Sequence, residues 1–182
     1  MSTALLLIDV QNDYFPCGRM ELEGSPEAAL KAAALLKLFR EQALPVFHVR
    51  HESVQDGATF FLPGTQGADI QKDVLPLAGE VVVTKHYPNN FRETDLLEQL
   101  KGANVTRLVV AGMMTHMCVD AGVRAATDFG FECAIVSDAS ATRALPFREM
   151  NIPAAHVHGS FLAALGMVYA TVLRADEVEG WL

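Results

Sequence analysis

A chain of 182 residues with 51% hydrophobic content falls within the usual size of one domain and can bury a sizeable core. Its formal charge of −8, with no cluster of Lys or Arg able to track phosphates, argues against a nucleic-acid partner. No apolar run is long enough to cross a bilayer, and Met1-Ser2-Thr3 leads into Ala4-Leu5-Leu6-Leu7-Ile8 without a basic leader, so the expectation is a cytoplasmic protein with no membrane partner.

In chain order, Ala4–Val10 reads as a first core strand. Ser25-Pro26-Glu27 then opens a helix that runs to about Gln42, with Ser25 as its N-cap and proline at the first helical position. Charges at Glu27, Lys31, Lys37 and Glu41 share one stripe of that helix, leaving its Ala, Leu and Phe residues free to pack inward. Pro45–Arg50 is a second strand, and the irregular stretch from Glu52 to about Ala68, rich in Gly and Phe, reads as a lid or pocket wall or else as a disordered insert. Glu80–Lys85 is a third strand, followed by a helix over Glu93–Lys101, a fourth strand over Arg107–Gly112 and a helix from Thr115 to the stop at Gly130. Glu132–Ser137, a helix over Ala154–Tyr169 and Thr171–Arg174 complete the pattern. The strand runs are apolar almost continuously rather than alternating, as strands covered on both faces are. The fold class is therefore α/β, a doubly wound parallel sheet with helices on both sides.

In such sheets ligands bind beyond the carboxyl ends of the strands. Those ends carry Asp9, His51, Lys85, the segment Met113 to Cys118, and Asp138. Asp9 interrupts an apolar run and Lys85 closes one, so the two charges need each other, as a structural plug or as catalytic groups. Cys118 lies where a strand ends in glycine and a helix begins. The helix dipole and unpaired N–H groups there favour a thiolate and can hold an oxyanion. Cys133, inside an apolar run, reads as a buried hydrophobe, and Cys17 in its loop is less clear. Three widely spaced cysteines form neither a disulfide framework nor a zinc signature.

The motifs Leu7-Ile8-Asp9-Val10-Gln11-Asn12-Asp13-Tyr14, Pro63-Gly64-Thr65, Lys85 with Phe91-Arg92-Glu93-Thr94-Asp95-Leu96, Gly112-Met113-Met114-Thr115-His116-Met117-Cys118-Val119 and Ser137-Asp138-Ala139 stand in the order of a known family. The chain resembles the isochorismatase-like cysteine hydrolases, which include nicotinamidase and N-carbamoylsarcosine amidase. The resemblance implies a three-layer fold around a six-stranded parallel sheet, and an Asp, Lys, Cys triad at Asp9, Lys85 and Cys118. It implies an oxyanion hole from the backbone N–H groups of Met114 and Cys118, a non-proline cis peptide between Met113 and Met114, a small-molecule substrate and a homo-oligomer.

Family members that hydrolyse the isochorismate vinyl ether often lack the cysteine, so Cys118 favours C–N hydrolysis, with the vinyl-ether reaction as the alternative. Nicotinamidases of the family place an Asp-x-His metal element after the second strand. Here that stretch reads His48-Val49-Arg50-His51-Glu52-Ser53, and His48 and His51 would point to opposite faces, so no metal and no cofactor are expected. His51 is then a pocket residue or a solvated strand end. Tyr14, by its place in the family, and Phe61, Phe91 and His116 are candidates for the substrate pocket, each with core packing as its other role. His156 and His158 have no assigned partner. Outside this family, a nucleotide- or flavin-binding module lacks its glycine-rich turn here, and a non-catalytic redox thiol is the remaining alternative.

Overall fold

Residues 2–182 are described by a computed structural model. The strands β1 (Ser2–Ile8), β2 (Val46–His51), β3 (Val81–Lys85), β4 (Val105–Met113) and β5 (Glu132–Ala141) are followed by a short antiparallel hairpin, β6 (Leu145–Phe147) and β7 (Met150–Ile152), and by β8 (Ala170–Leu173). Six of them form one parallel sheet in the order β3-β2-β1-β4-β5-β8. The chain winds outward through β2 and β3 on one side of β1 and through β4, β5 and β8 on the other, so the order reverses between β1 and β4. Diverging connections leave a crevice at such a switch point.

The near-continuous apolar runs have the expected cause. Leu5 and Leu7 of β1 face a core built with Leu35, Leu36 and Phe39 of α1 (Ser25–Glu41), while Ala4, Leu6 and Ile8 face the opposite one. That second core is closed by Leu96 and Leu100 of α2 (Leu96–Gly102), Val123 and Ala126 of α3 (Asp120–Asp128), and Leu162 and Leu165 of α4 (Ala154–Val168). A last turn, α5 (Val178–Trp181), places Val178 in the first core. The result is the three-layer α/β arrangement expected from the strand pattern.

Several boundaries differ from the sequence reading for local reasons. Gly24, at φ 74°, caps α1 in place of Ser25, whose hydroxyl donates instead to the Leu22 carbonyl at 3.2 Å. The helix expected from Glu93 begins at Leu96, because Glu93 itself takes a left-handed φ of 55°. The helix expected from Thr115 to Gly130 opens with a π-helical turn, Thr115–Val119, before α3 begins. β5 runs past Ser137 to Ala141 because its mid-strand polar groups are satisfied. Ser137 Oγ donates to the Leu173 carbonyl at 2.9 Å, and Asp138 Oδ1 accepts from the Ala175 N–H at 2.8 Å.

Candidate active site

Four strand ends meet at the crevice. β1 delivers Asp9, whose left-handed φ of 51° turns the chain off the strand, a conformation Asp tolerates better than most residues. β2 and β3 end together, with His51 and Lys85 in register across the ladder. β4 ends at Gly112 and Met113, the peptide between Met113 and Met114 is cis, and the π-helical turn follows with Cys118. Gly112 is required by close approach: at its φ of 134° a Cβ would stand 2.0 Å from the Ile8 carbonyl oxygen.

Asp9 and Lys85 are both fully buried, with Lys85 Nζ 2.8 Å from Asp9 Oδ2. The same ammonium lies 3.2 Å from His51 Nδ1 and donates to the Tyr87 carbonyl at 3.1 Å. Lys85 Nζ is at hydrogen-bonding distance from Asp9, and the Cys118 thiol is the other hydrogen-bond neighbour of that carboxylate. With one cation and one thiol as its neighbours, the buried Asp9 carboxylate can exchange a proton with the sulfur. An Asp9 oxygen, a His51 ring nitrogen and Cys118 Sγ all lie within 4.8 Å of one another. Three strand ends far apart in the sequence are thus brought together, Asp9 and Lys85 buried beside Cys118.

The charge balance of this cluster is set by burial. Burial first, and the Asp9 charge second, raise the Cys118 thiol above its ordinary value, and Lys85 offsets this in part. The helix-start argument for a resting thiolate is thus outweighed by desolvation: Cys118 rests as a thiol, and its proton must leave as it attacks. Burial alone would lower Lys85, but the Asp9 carboxylate outweighs it and holds the ammonium raised. Burial, with Lys85 beside it, depresses the His51 imidazole to about 4. The Tyr14 phenol is raised by burial and then by Cys118 and Asp9.

Asp9, His51 and Cys118 are also a metal-type donor set, but Lys85 Nζ occupies the position a cation would need among them. A protonated lysine at 2.8 Å from one donor and 3.2 Å from another does not fit a divalent ion there. His48 and His51 do part as their spacing requires. His48 turns to the opposite face and donates from Nε2 to Glu80 at 3.0 Å.

Above the floor is a cavity of about 420 Å³ lined by Tyr14, His51, Phe60, Phe61, Met114, Met117 and Cys118 with neighbouring loop residues. Tyr14 and Phe61 meet edge to face at 4.6 Å. The Glu52–Ala68 stretch is the cavity wall, fastened at both ends of its turn: the Ser53 N–H donates to the Phe61 carbonyl at 2.9 Å, and the Phe61 N–H to Asp13 Oδ2 at 2.6 Å. Two pocket candidates lie elsewhere. Phe91 packs against Phe129 at 5.2 Å and His116 bonds Thr142 beside Phe161, both outside the cavity lining. Two residues before Cys118 on a helical turn, His116 is carried about half way round the axis. His158, left unassigned by sequence, bonds Thr115 Oγ1 at 2.9 Å.

Residues that hold the site went unread in the sequence. Gln11 clamps the end of β2, accepting from the His51 N–H at 2.7 Å and donating to the His51 carbonyl at 2.8 Å and the Ala68 carbonyl at 2.7 Å. Asn90 donates to the Cys118 carbonyl at 3.3 Å and sits so close to α3 that a Cβ on Gly122 would be 2.0 Å from its Nδ2. Both stand within polar clusters just beyond strand ends, Gln11-Asn12-Asp13 and Asn89-Asn90, which is the signal that could have found them.

A parallel sheet with an acid, an ammonium and a thiol at its switch point defines a hydrolase of the α/β class, and comparison with known proteins places it more narrowly. The sequence matches the Isochorismatase domain over residues 3–162, and the chain belongs to the isochorismatase family. It is 51% identical to the isochorismatase family protein YddQ of Bacillus subtilis (strain 168), over 97% of this chain and 98% of that one. It superposes on the crystal structure of an isochorismatase-type protein from Oleispira antarctica with a TM-score of 0.95 and 51% identity, covering 98% of this chain and 96% of the other. It is also 30% identical to maleamate amidohydrolase of Pseudomonas putida, over 82% of this chain and 76% of that enzyme. Among the described residues no helix is long and apolar enough to cross a membrane.

Proposed function

We propose that this chain hydrolyses the C–N bond of a small amide through a thioester on Cys118, with Asp9 moving the proton and Lys85 holding the charge. The observation that carries this reading is the buried Asp9 carboxylate, paired to Lys85 at 2.8 Å, with the Cys118 sulfur beside it and lining a cavity. The likeness to an enzyme named maleamate amidohydrolase supports the bond type.

Asp9 takes the proton of the Cys118 thiol as sulfur bonds to the carbonyl carbon. The carbonyl oxygen becomes an oxyanion, held by the N–H groups of Met114 and Cys118 at the start of the π-helical turn, where a helix leaves its first donors unpaired. Collapse breaks the C–N bond, and Asp9 gives its proton to the departing nitrogen. Asp9 then takes a proton from water as the hydroxide attacks the thioester, and the Cys118 sulfur leaves and recovers that proton, releasing a carboxylic acid. Lys85 balances the charge on Asp9 between steps and never transfers its own proton.

The test is a screen of small amides, carbamoyl compounds and isochorismate with wild type and Cys118→Ala in parallel, following ammonia and pyruvate separately. The reading expects ammonia release by wild type and none by Cys118→Ala. Pyruvate release that survives Cys118→Ala would replace it with vinyl-ether hydrolysis by Asp9 and Lys85.

A further inference from the structure

We infer that His51 is a specificity-determining residue: a neutral ring whose Nε2–H donates to an acceptor on the acyl part of the substrate, so that the site selects uncharged, acceptor-bearing amides over amides carrying a carboxylate or an ammonium. The inference rests on the amidase reading and extends it to substrate class.

The tautomer follows from the neighbours of the ring. Lys85 Nζ stands 3.2 Å from His51 Nδ1, and an ammonium can only donate, so Nδ1 must present its lone pair. Burial and the same lysine keep the second proton off the ring above about pH 4, so the one proton of the neutral imidazole is on Nε2. Among the described residues no protein acceptor is in hydrogen-bond contact with that nitrogen, while the ring lines the cavity and packs 6.0 Å from Phe61. Gln11 fixes the ring's main chain from both sides, through the His51 N–H and the His51 carbonyl. A donor locked by its neighbours in tautomer and position, beside the nucleophile and without a protein partner, is placed to read the ligand.

The rest of the lining agrees on charge. Its polar members are Ser53, Gln55 and His86 with the tyrosines, and among the described residues no Asp, Glu, Lys or Arg lines the cavity. Lys85 lies beneath the floor with its charge committed to Asp9. A carboxylate or ammonium on the acyl part of the substrate, directed away from Asp9 and Lys85, would lose water here and find no opposite charge.

Four amides of similar size test this: methoxyacetamide, with an ether oxygen two bonds from the carbonyl carbon; its isostere butyramide; malonamate; and glycinamide. Wild-type kcat/KM should favour methoxyacetamide over butyramide about tenfold, the worth of one buried hydrogen bond. Malonamate and glycinamide should fall at least about 100-fold below methoxyacetamide, the penalty of an unpaired buried charge. In His51→Leu the methoxyacetamide to butyramide ratio should drop to about one, a ratio independent of how much enzyme is folded. His51→Gln, whose amide oxygen accepts from Lys85 while its nitrogen donates, should recover most of the preference. An unchanged ratio in His51→Leu, or malonamate as the better substrate, overturns this inference and leaves the amidase reading standing. Hydrolysis of none of the four, or hydrolysis that persists in Cys118→Ala, overturns both.

Discussion

The two ends of β3 each carry a carboxylate beside a cation, and they are built to opposite purposes. At the amino end, Glu80 accepts from Arg40 Nε at 2.7 Å and Nη2 at 2.9 Å, from His48 Nε2 at 3.0 Å and from the Leu77 N–H at 2.9 Å. Burial alone would raise that carboxyl, but Arg40, then Leu77 and His48, pull it down to about 2. At the carboxyl end, Asp9 meets Lys85 at 2.8 Å and lies beside the Cys118 sulfur, a group that can give it a proton. A saturated carboxylate is a poor base and a good fastener. One held by a single cation beside a thiol can trade a proton with it as a reaction proceeds. Ion pairing alone therefore does not mark a functional site; what stands beside the pair does.

The two cysteines of the second core teach the same lesson. Both thiols are pushed up chiefly by burial, Cys133 to about 11, yet Cys133 has the Phe131 carbonyl at 3.8 Å as its partner, while Cys118 has Asp9 and Lys85. Reactivity here comes from the base beside the sulfur rather than from a thiol acidic at rest.

These contrasts fix what each substitution should do. Asp9→Asn should lower turnover by at least about a thousandfold, the upper range for loss of a general base, as read from steady-state kinetics on any substrate the screen identifies. Gly112→Ala forces a Cβ against the Ile8 carbonyl in a backbone position that favours glycine, and should cost about 3 kcal/mol or more in a urea melt. Glu80→Gln should lower stability by about 2 kcal/mol, through weakened charged hydrogen bonds, and leave kcat/KM as in wild type. An effect of Glu80→Gln on kcat/KM comparable to that of Asp9→Asn would erase the distinction between the two carboxylates.

Acid should weaken the fold in two windows. The folded His51 ring titrates at about 4 against an ordinary 6.5, so between those values the unfolded chain binds a proton that the folded one refuses, and stability falls as pH drops through that range. Glu80 acts below it: the unfolded carboxyl takes its proton near 4.5 and the folded one near 2, so stability falls again across that interval. Urea midpoints measured from pH 7 to 3 should show both declines, with His51→Gln flattening the upper and Glu80→Gln the lower. The smallest effect belongs to Cys133→Ala, about 1 kcal/mol of lost packing with activity intact.

The sheet was legible because its strands are covered on both faces, which writes Leu5 to Ile8 and Val81 to Val83 as unbroken apolar runs. The floor of the site was legible for a related reason, since Asp9 and Lys85 each break such a run with a charge that burial must answer. What escaped depends on partners distant in sequence. The continuation of β5 through Ser137 and Asp138 is invisible without Leu173 and Ala175, which satisfy those residues. The β6–β7 hairpin turns at Arg148, left-handed at φ 55°, with no glycine to announce it. Phe91 and His116 were read as pocket residues from their nearness in sequence to the motifs, whereas the directions of their side chains come from the elements they pack against, Phe129 and Thr142. His51 was left between pocket and solvent because its role depends on the register of β2 against β3, which sets it beside Lys85.

The central claim is that the sulfur of Cys118 forms a bond to the acyl carbon. Rapid quenching of wild-type enzyme with a hydrolysed amide, followed by intact-mass and peptide mass spectrometry, tests it directly. The expected result is a transient gain equal to the acyl group, carried on the peptide containing Cys118, cleaved by hydroxylamine and absent from Cys118→Ala. Amide turned over at full rate while that cysteine stays unmodified, with Cys118→Ala equally active, would contradict it.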